Sequence, residues 1–220
     1  MNYSFCETLM WFALAKPSFK YLKQKGIIVS KKKVKEIYRQ MTERTPDIGA
    51  LTENPLRICL SGGMVWLSIY KAANGTMEDS SFGEMVTASM NSPLIVSSFK
   101  KKAKTAFTIE GQKKKADSAK KTNALATDDP FQWNMEVIYG RDENEYTINY
   151  HQCGLCALGK QEGLSHLVPY MCVLDIMSVE WMGGVLYRTQ TLASGGDLCD
   201  FYICKKDSEW HREKEHENGL

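Results

Sequence analysis

The chain has 220 residues, 43% of them apolar and 25% charged, with a net charge of +2, the composition of an ordinary globular protein of one domain, or of one domain with a helical extension. So small a net charge excludes a dedicated nucleic-acid binder, and no DNA- or RNA-binding signature occurs. The seven cysteines are an odd number with no export leader ahead of them, so reduced thiols and a cytoplasmic setting are expected, with no membrane partner because no run reaches spanning length.

In chain order, residues 1–30 read as a helix that ends before Pro17, followed by a loop through Gly26. Ser30 caps a second helix to Arg44, with apolar spacing at Val34, Ile37, Tyr38 and Met41. Pro46 and Pro55 bracket a loop. Leu56 to Ala73 reads as a mostly buried helix that Gly62 and Gly63 either break or press against another backbone, and Asn74-Gly75 closes it. A further helix covers Ser80 to Met90. From Ser98 to Lys121, nine lysines face only Glu110 and Asp117; a solvated helix face beside Phe99, Phe107 and Ile109 is the expectation, and an anion-attracting surface the alternative.

From Phe131 the period changes to two. Trp133, Met135, Val137 and Tyr139 alternate, Gly140 to Glu143 is turn-like, and Tyr146, Ile148 and Tyr150 alternate again. A second hairpin is expected from Val185 to Leu192, the turn Ser194 to Asp197, and Leu198 to Lys205. The fold class is therefore α+β: N-terminal helices packed with a four-stranded antiparallel sheet made of two hairpins around a helical insert. Residues 1–125 form the helical part, 126–206 the sheet and cysteine-rich region, and 207–220 a charged, frayed tail.

Five of the seven cysteines lie between Cys153 and Cys204. Gly154-Leu155 reads as a helix entry with Cys156 in its first turn, and Pro169 as the first turn of a helix carrying Cys172 and Asp175 on one face. The opposite stripe, Leu167, Met171, Leu174 and Trp181, faces the core. Helix starts favour thiolate, so Cys156 and Cys172 are expected to be more acidic than a free thiol. If Cys199 to Cys204 is a regular strand, Asp200 points away from Cys199. Thr189 and Thr191 share one strand face and Arg188 takes the other, free to grip a substrate carboxylate or to pair with Asp200 or Asp175. The plainer alternative is that these cysteines are small core residues.

Cys153 and Cys156 form a C-x-x-C pair. A zinc site through Cys153, Cys156, Cys172 and Cys199 is the alternative to a protein without cofactor, since a second close pair is missing; no βαβ pattern supports a thioredoxin-type role, and the spacing fits no common iron–sulfur run.

The runs CALGKQEGL, PYMCVLD and YRTQTLASGGDLCDF resemble the L-2-amino-thiazoline-4-carboxylic acid hydrolase family over roughly the last ninety residues. Two residues, Cys153 and Cys156, compete for the family's first cysteine. The resemblance implies a hydrolase that opens a cyclic amidine at a non-peptide carbon–nitrogen bond, on a route to L-cysteine through a carbamoyl intermediate. Cys172, Asp175, Cys199 and Cys156 are the expected catalytic residues, with Cys172 the expected nucleophile, and Arg188, Thr189, Thr191, Asp200 and His166 the expected substrate contacts. The rival is a non-catalytic sensor of a small molecule or metal, similar to the vinyl-reductase-like ligand-binding domains.

Overall fold

The computed structural model describes residues 1, 3–125 and 128–217. The first helix, α1, runs Phe5–Gln24 and opens with a capping box between Ser4 and Glu7. It does not end before Pro17. Trp11, Leu14 and Ala15 before the proline, and Ser18, Tyr21 and Leu22 after it, are all buried, and that packing outweighs the ~3 kcal/mol of an interior proline. Its true end is Gly26 at φ +71°. There Ile27 N donates to Leu22 O at 2.9 Å and Gly26 N to Lys23 O at 3.3 Å, a Schellman closure.

Helix α2 (Lys31–Arg44) is capped by Ser30, whose hydroxyl accepts from Lys33 N. Helix α3 (Arg57–Ala73) is flanked by α1 and α2, which both pack on it. Gly62 and Gly63 do not break it. A Cβ on Gly63 would lie 2.4 Å from Leu155 Cδ2, and one on Gly62 3.3 Å from Leu14 Cδ1, so both glycines serve close packing against side chains. Asn74, left-handed at φ 50°, ends the helix. Arg57, at the start of α3, meets Glu7 of α1 at 3.1 Å with both side chains buried, and Ser61 Oγ donates to the same carboxylate at 2.8 Å. Burial opposes ionisation of Glu7, but the hydrogen bonds from Ser4, Arg57 and Ser61 outweigh it and hold its pKa below the usual value. This cluster locks the first turn of α3, and Cys59 with it.

Helix α4 (Asp79–Met90) packs on α1, and α5 (Pro93–Ala106) and α6 (Ile109–Leu125) carry the lysines. Most of those lysines are exposed, as a solvated face requires. Lys115 departs from it: its Nζ donates to Ala106 O at 3.0 Å and sits 4.6 Å from the centre of the buried Tyr146 ring, so desolvation lowers its pKa.

Strands β1 (Asn134–Tyr139), β2 (Glu145–Gln152), β3 (Gly184–Tyr187) and β4 (Cys199–Lys205) form one antiparallel sheet in the order β1-β2-β4-β3. The two hairpins thus meet through β2 and β4, with Tyr150 opposite Cys199 and Ile148 opposite Phe201. Asn123 of α6 covers β1, its side chain exchanging two hydrogen bonds with the Met135 backbone at 2.7 and 3.0 Å. The buried cluster runs from Leu14 and Tyr38 through Leu67 and Met171 to Ile148 and Phe201. Between the helices and the sheet lie α7 (Gly154–Glu162) and α8 (Val168–Trp181). Glu162, at the end of α7, is tied to Arg44 of α2 at 3.0 Å and to Lys71 of α3.

Two further expectations fail. Strand β3 stops at Tyr187, so Arg188, Thr189 and Thr191 lie on a loop and their assignment to strand faces lapses. The reason is Asp200. Its carboxylate accepts from Thr189 N at 3.0 Å, Thr189 Oγ1 at 2.6 Å and Gln190 N at 2.9 Å, taking the donors a longer ladder would have used. The tail does not fray throughout either: α9 (Glu209–Glu217) covers the outer face of the second hairpin. Tyr187 Oη contacts His211 Nδ1 at 2.8 Å, Trp210 Nε1 donates to Asp142 at 2.9 Å, and Cys204 between them is fully buried. The end of the expected tail, residues 218–220, lies outside the described residues.

Candidate active site

Cys153 is the N-cap of α7, in extended backbone at φ −134° and ψ 114°. Gly154 follows because a Cβ there would lie 2.3 Å from Phe131 O and 2.6 Å from the Trp133 ring. The first turn of α7 is thus pressed onto the start of the first hairpin. Cys156 closes the turn, its N–H donating to Cys153 O at 3.0 Å. Helix α8 starts with Pro169 in its first turn, and it brings Cys172 and, one turn on, Asp175 to the same region.

The electrostatics of these four thiols, Cys153, Cys156, Cys172 and Cys199, are unequal. Cys153 is held below the ordinary thiol value, first by a hydrogen bond from the Cys156 side chain and then, against the cost of burial, by the N–H groups of Cys156 and Leu155. Cys156 is pushed up by the same bond, by burial and by its neighbours Cys153, Cys172 and Cys199. Burial, with the Asp175 carboxylate next, raises Cys172 to about 12. Burial likewise raises Cys199, although Leu192 N donates to its sulfur at 3.3 Å. The expectation that Cys156 and Cys172 are the acidic thiols is therefore corrected. Anion stabilisation by a helix start is confined to its first N–H groups, and Cys153 stands beside them at the cap of α7 while Cys172 stands a turn inside α8.

Asp175 is raised to about 6 by burial, which outweighs the opposing pull of Arg188. Arg188 Nη1 stands 3.3 Å from Asp175 Oδ2 and donates to Cys172 O at 3.0 Å, with its guanidinium over the Phe201 ring at 5.6 Å. Of the two partners the sequence left open for Arg188, the structure takes Asp175.

Asp175 also keeps 42% of its side chain accessible. Loss of hydration and open surface coexist where a side chain is closely surrounded by protein and still reaches solvent. Cys59 has the same character: it is exposed, yet burial raises its thiol to about 12, with the charges of Asp175 and Cys153 next. Tyr150, half-buried on β2, is also raised by burial and feels Asp175, Cys59 and Cys153. Cys59, Cys153, Cys172, Tyr150 and Asp175 thus form one cluster, within electrostatic range of one another, to which α3, α7, α8 and the sheet contribute. Sequence reasoning missed Cys59 and Tyr150; the only signal for Cys59 was a cysteine in the first turn of a buried helix.

A cleft of about 200 Å³ adjoins the cluster through Cys172, lined by Pro169, Cys172, Arg188, Thr189, Gln190, Thr191 and Ser194. Thr191 shapes it by capping the short turn Leu192–Ser194, its hydroxyl accepting from Ser194 N at 3.2 Å. Asp200 also acts on this loop, and the hydrogen bonds from Thr189 and Gln190 overcome its burial to keep its pKa low. His166 is not brought to the cysteines: the turn that buries Leu167 leaves His166 half exposed, 3.7 Å from Asp79 and beside Tyr70. A larger groove of about 400 Å³ between α4 and α8 holds no thiol, and its one acid, Glu84, is paired with Lys25 at 2.8 Å.

Among the described residues, no three His, Cys, Asp or Glu side chains are grouped to hold a metal ion, and no helix is long and apolar enough to cross a membrane. All seven thiols are free.

No curated protein and no solved structure matches the chain. The family described as L-2-amino-thiazoline-4-carboxylic acid hydrolase matches residues 60–203, a span that begins inside α3 and takes in all of the sheet but the last two residues of β4, and every residue of the cluster except Cys59. The chain therefore belongs to the L-2-amino-thiazoline-4-carboxylic acid hydrolase family.

Proposed function

We propose that this chain hydrolyses a small cyclic amidine acid such as 2-amino-thiazoline-4-carboxylate, in a step on a route to L-cysteine, with Cys153 as nucleophile and Asp175 as general base. One observation carries the reading: Cys153, a thiol favoured as thiolate at the cap of α7, stands within electrostatic range of Asp175, a carboxyl raised to about 6.

The amidine carbon of such a ring is bonded to two nitrogens and a sulfur, and it is electrophilic once the amidine is protonated. Asp175 is suited to hold the amidinium, and Arg188 beside it to match a substrate carboxylate. The Cys153 thiolate adds to the carbon and one ring heteroatom leaves with a proton. Water, giving its proton to Asp175, then adds to the same carbon and displaces the thiolate. The sum is one water consumed, one ring bond broken and one carbamoyl group formed. Cys156 steadies the thiolate through its S–H, Cys172 and Cys199 stand near it as neutral thiols, and Thr189, Thr191 and Asp200 hold the loop of Arg188.

The test is hydrolysis of both enantiomers of the thiazoline acid by Cys153→Ala and Cys172→Ala. Loss of the nucleophile should lower kcat by about a thousandfold or more, with circular dichroism unchanged, while Cys172→Ala should cost roughly tenfold or less, since it removes a neutral thiol. The reverse order would return the nucleophile to Cys172. No turnover of either enantiomer by the unaltered chain would defeat the substrate class.

A further inference from the structure

We propose that Cys153 and Cys156 form a reversible redox modification site, which a hydroperoxide closes to an intramolecular disulfide.

The turn that carries them is already shaped for it. Cys153 caps α7 and Cys156 is its third residue, joined by the 3.0 Å bond from Cys156 N to Cys153 O. The two Cα atoms therefore stand about one helical turn apart, ~5–6 Å, within the span a disulfide bridges. The turn is braced, because Gly154 leaves no room between it and the Phe131 carbonyl or the Trp133 ring. The competing thiols, Cys172 and Cys199, sit on α8 and β4, so closure onto either would require separate elements to shift.

The reactivity is also divided as a dithiol requires. Cys153 is the thiol whose pKa is lowered, while the other six are raised. The Cys153 thiolate attacks the terminal peroxide oxygen, forming S–O as O–O breaks, and water or an alcohol leaves with a proton. The Cys156 sulfur then attacks the resulting sulfenic acid. An S–S bond forms, S–O breaks, and the Cys156 proton goes to the departing hydroxide. Two electrons have passed from the thiol pair to the peroxide. Thiol reduction reverses the change by exchange.

Disulfide formation is independent of the substrate proposed above; the accompanying loss of hydrolysis rests on that reading. The reduced full-length chain is titrated with hydrogen peroxide at neutral pH, with free thiols counted, disulfides mapped by peptide mass spectrometry, and hydrolysis assayed in parallel. Free thiols should fall from seven by two, with Cys153 linked to Cys156, and dithiothreitol should restore both. In Cys156→Ser, Cys153 should instead proceed to sulfinic acid. A linkage of Cys153 to Cys172 or Cys199, or sulfinic acid at Cys153 with Cys156 still reduced in the unaltered chain, overturns the proposal. If the Cys153–Cys156 linkage forms and hydrolysis persists, the redox site stands and Cys153 is not the nucleophile.

Discussion

Arg188→Gln separates the role of Asp175 from that of its partner. The guanidinium is 3.3 Å from Asp175 Oδ2, with 18% of the Arg188 side chain and 42% of the Asp175 side chain accessible. A neighbouring cation at this range depresses a carboxyl by about 1–3 pH units, and the accessibility of Asp175 favours the low end. Asp175 titrates at about 6 with Arg188 present; without the cation it should titrate about one to one and a half units higher. At pH 7 the ionised fraction would fall from ~0.9 to roughly a quarter or a half, a two- to fourfold loss of general base. The assay is kcat/KM between pH 5 and 9. The unaltered enzyme should show an ascending limb near pH 6, which Arg188→Gln should move upward and Asp175→Asn should abolish together with most of the rate. The thermal transition should be followed alongside, because Arg188 also donates to Cys172 O at 3.0 Å. A limb that stays in place in Arg188→Gln, or survives in Asp175→Asn, refutes the assignment of Asp175 as the base.

Two predictions concern stability. Glu145 is buried at 4% of its side-chain surface and held at about 2 because hydrogen bonds from Arg141 and Tyr202 overcome its desolvation. A depressed carboxyl stabilises the fold above its unfolded value of 4.5, and that contribution, about 3 kcal/mol, is lost as pH falls from there toward 2. Urea unfolding at pH 2 to 7 should show this loss in the unaltered chain and a flatter profile in Glu145→Gln; parallel profiles would disprove it. Gly154→Ala sets a Cβ 2.3 Å from the Phe131 carbonyl oxygen, so the start of α7 must lift off the hairpin. It should cost ~3 kcal/mol or more and return the Cys153 alkylation rate toward that of an ordinary thiol. Gly63→Ala meets only the movable end of Leu155, so it should cost less, ~1–3 kcal/mol, and leave that rate alone.

What the sequence determined by itself was what short-range chemistry controls. Ser30, Asn74, Gly140 to Glu143 and Pro169 act on backbone within a few residues of themselves, so the caps, the first hairpin and the start of α8 were readable, and the alternating stretches marked the sheet. Tertiary structure decided the features that depend on distant partners. Pro17 stays inside α1 because buried side chains on both sides of it hold the helix together. Asp200 ends β3 from the neighbouring strand, and α9 is held by Tyr187 and Asp142, far from it in the chain. The cysteine-rich run was legible as a place, but not which of its thiols ionises. That depends on which sulfur stands at a helix start and which are merely desolvated, and on the cluster to which α3 brings Cys59 and β2 brings Tyr150. Enclosure of this kind is set by packed elements from across the chain, and it leaves no local pattern in the sequence.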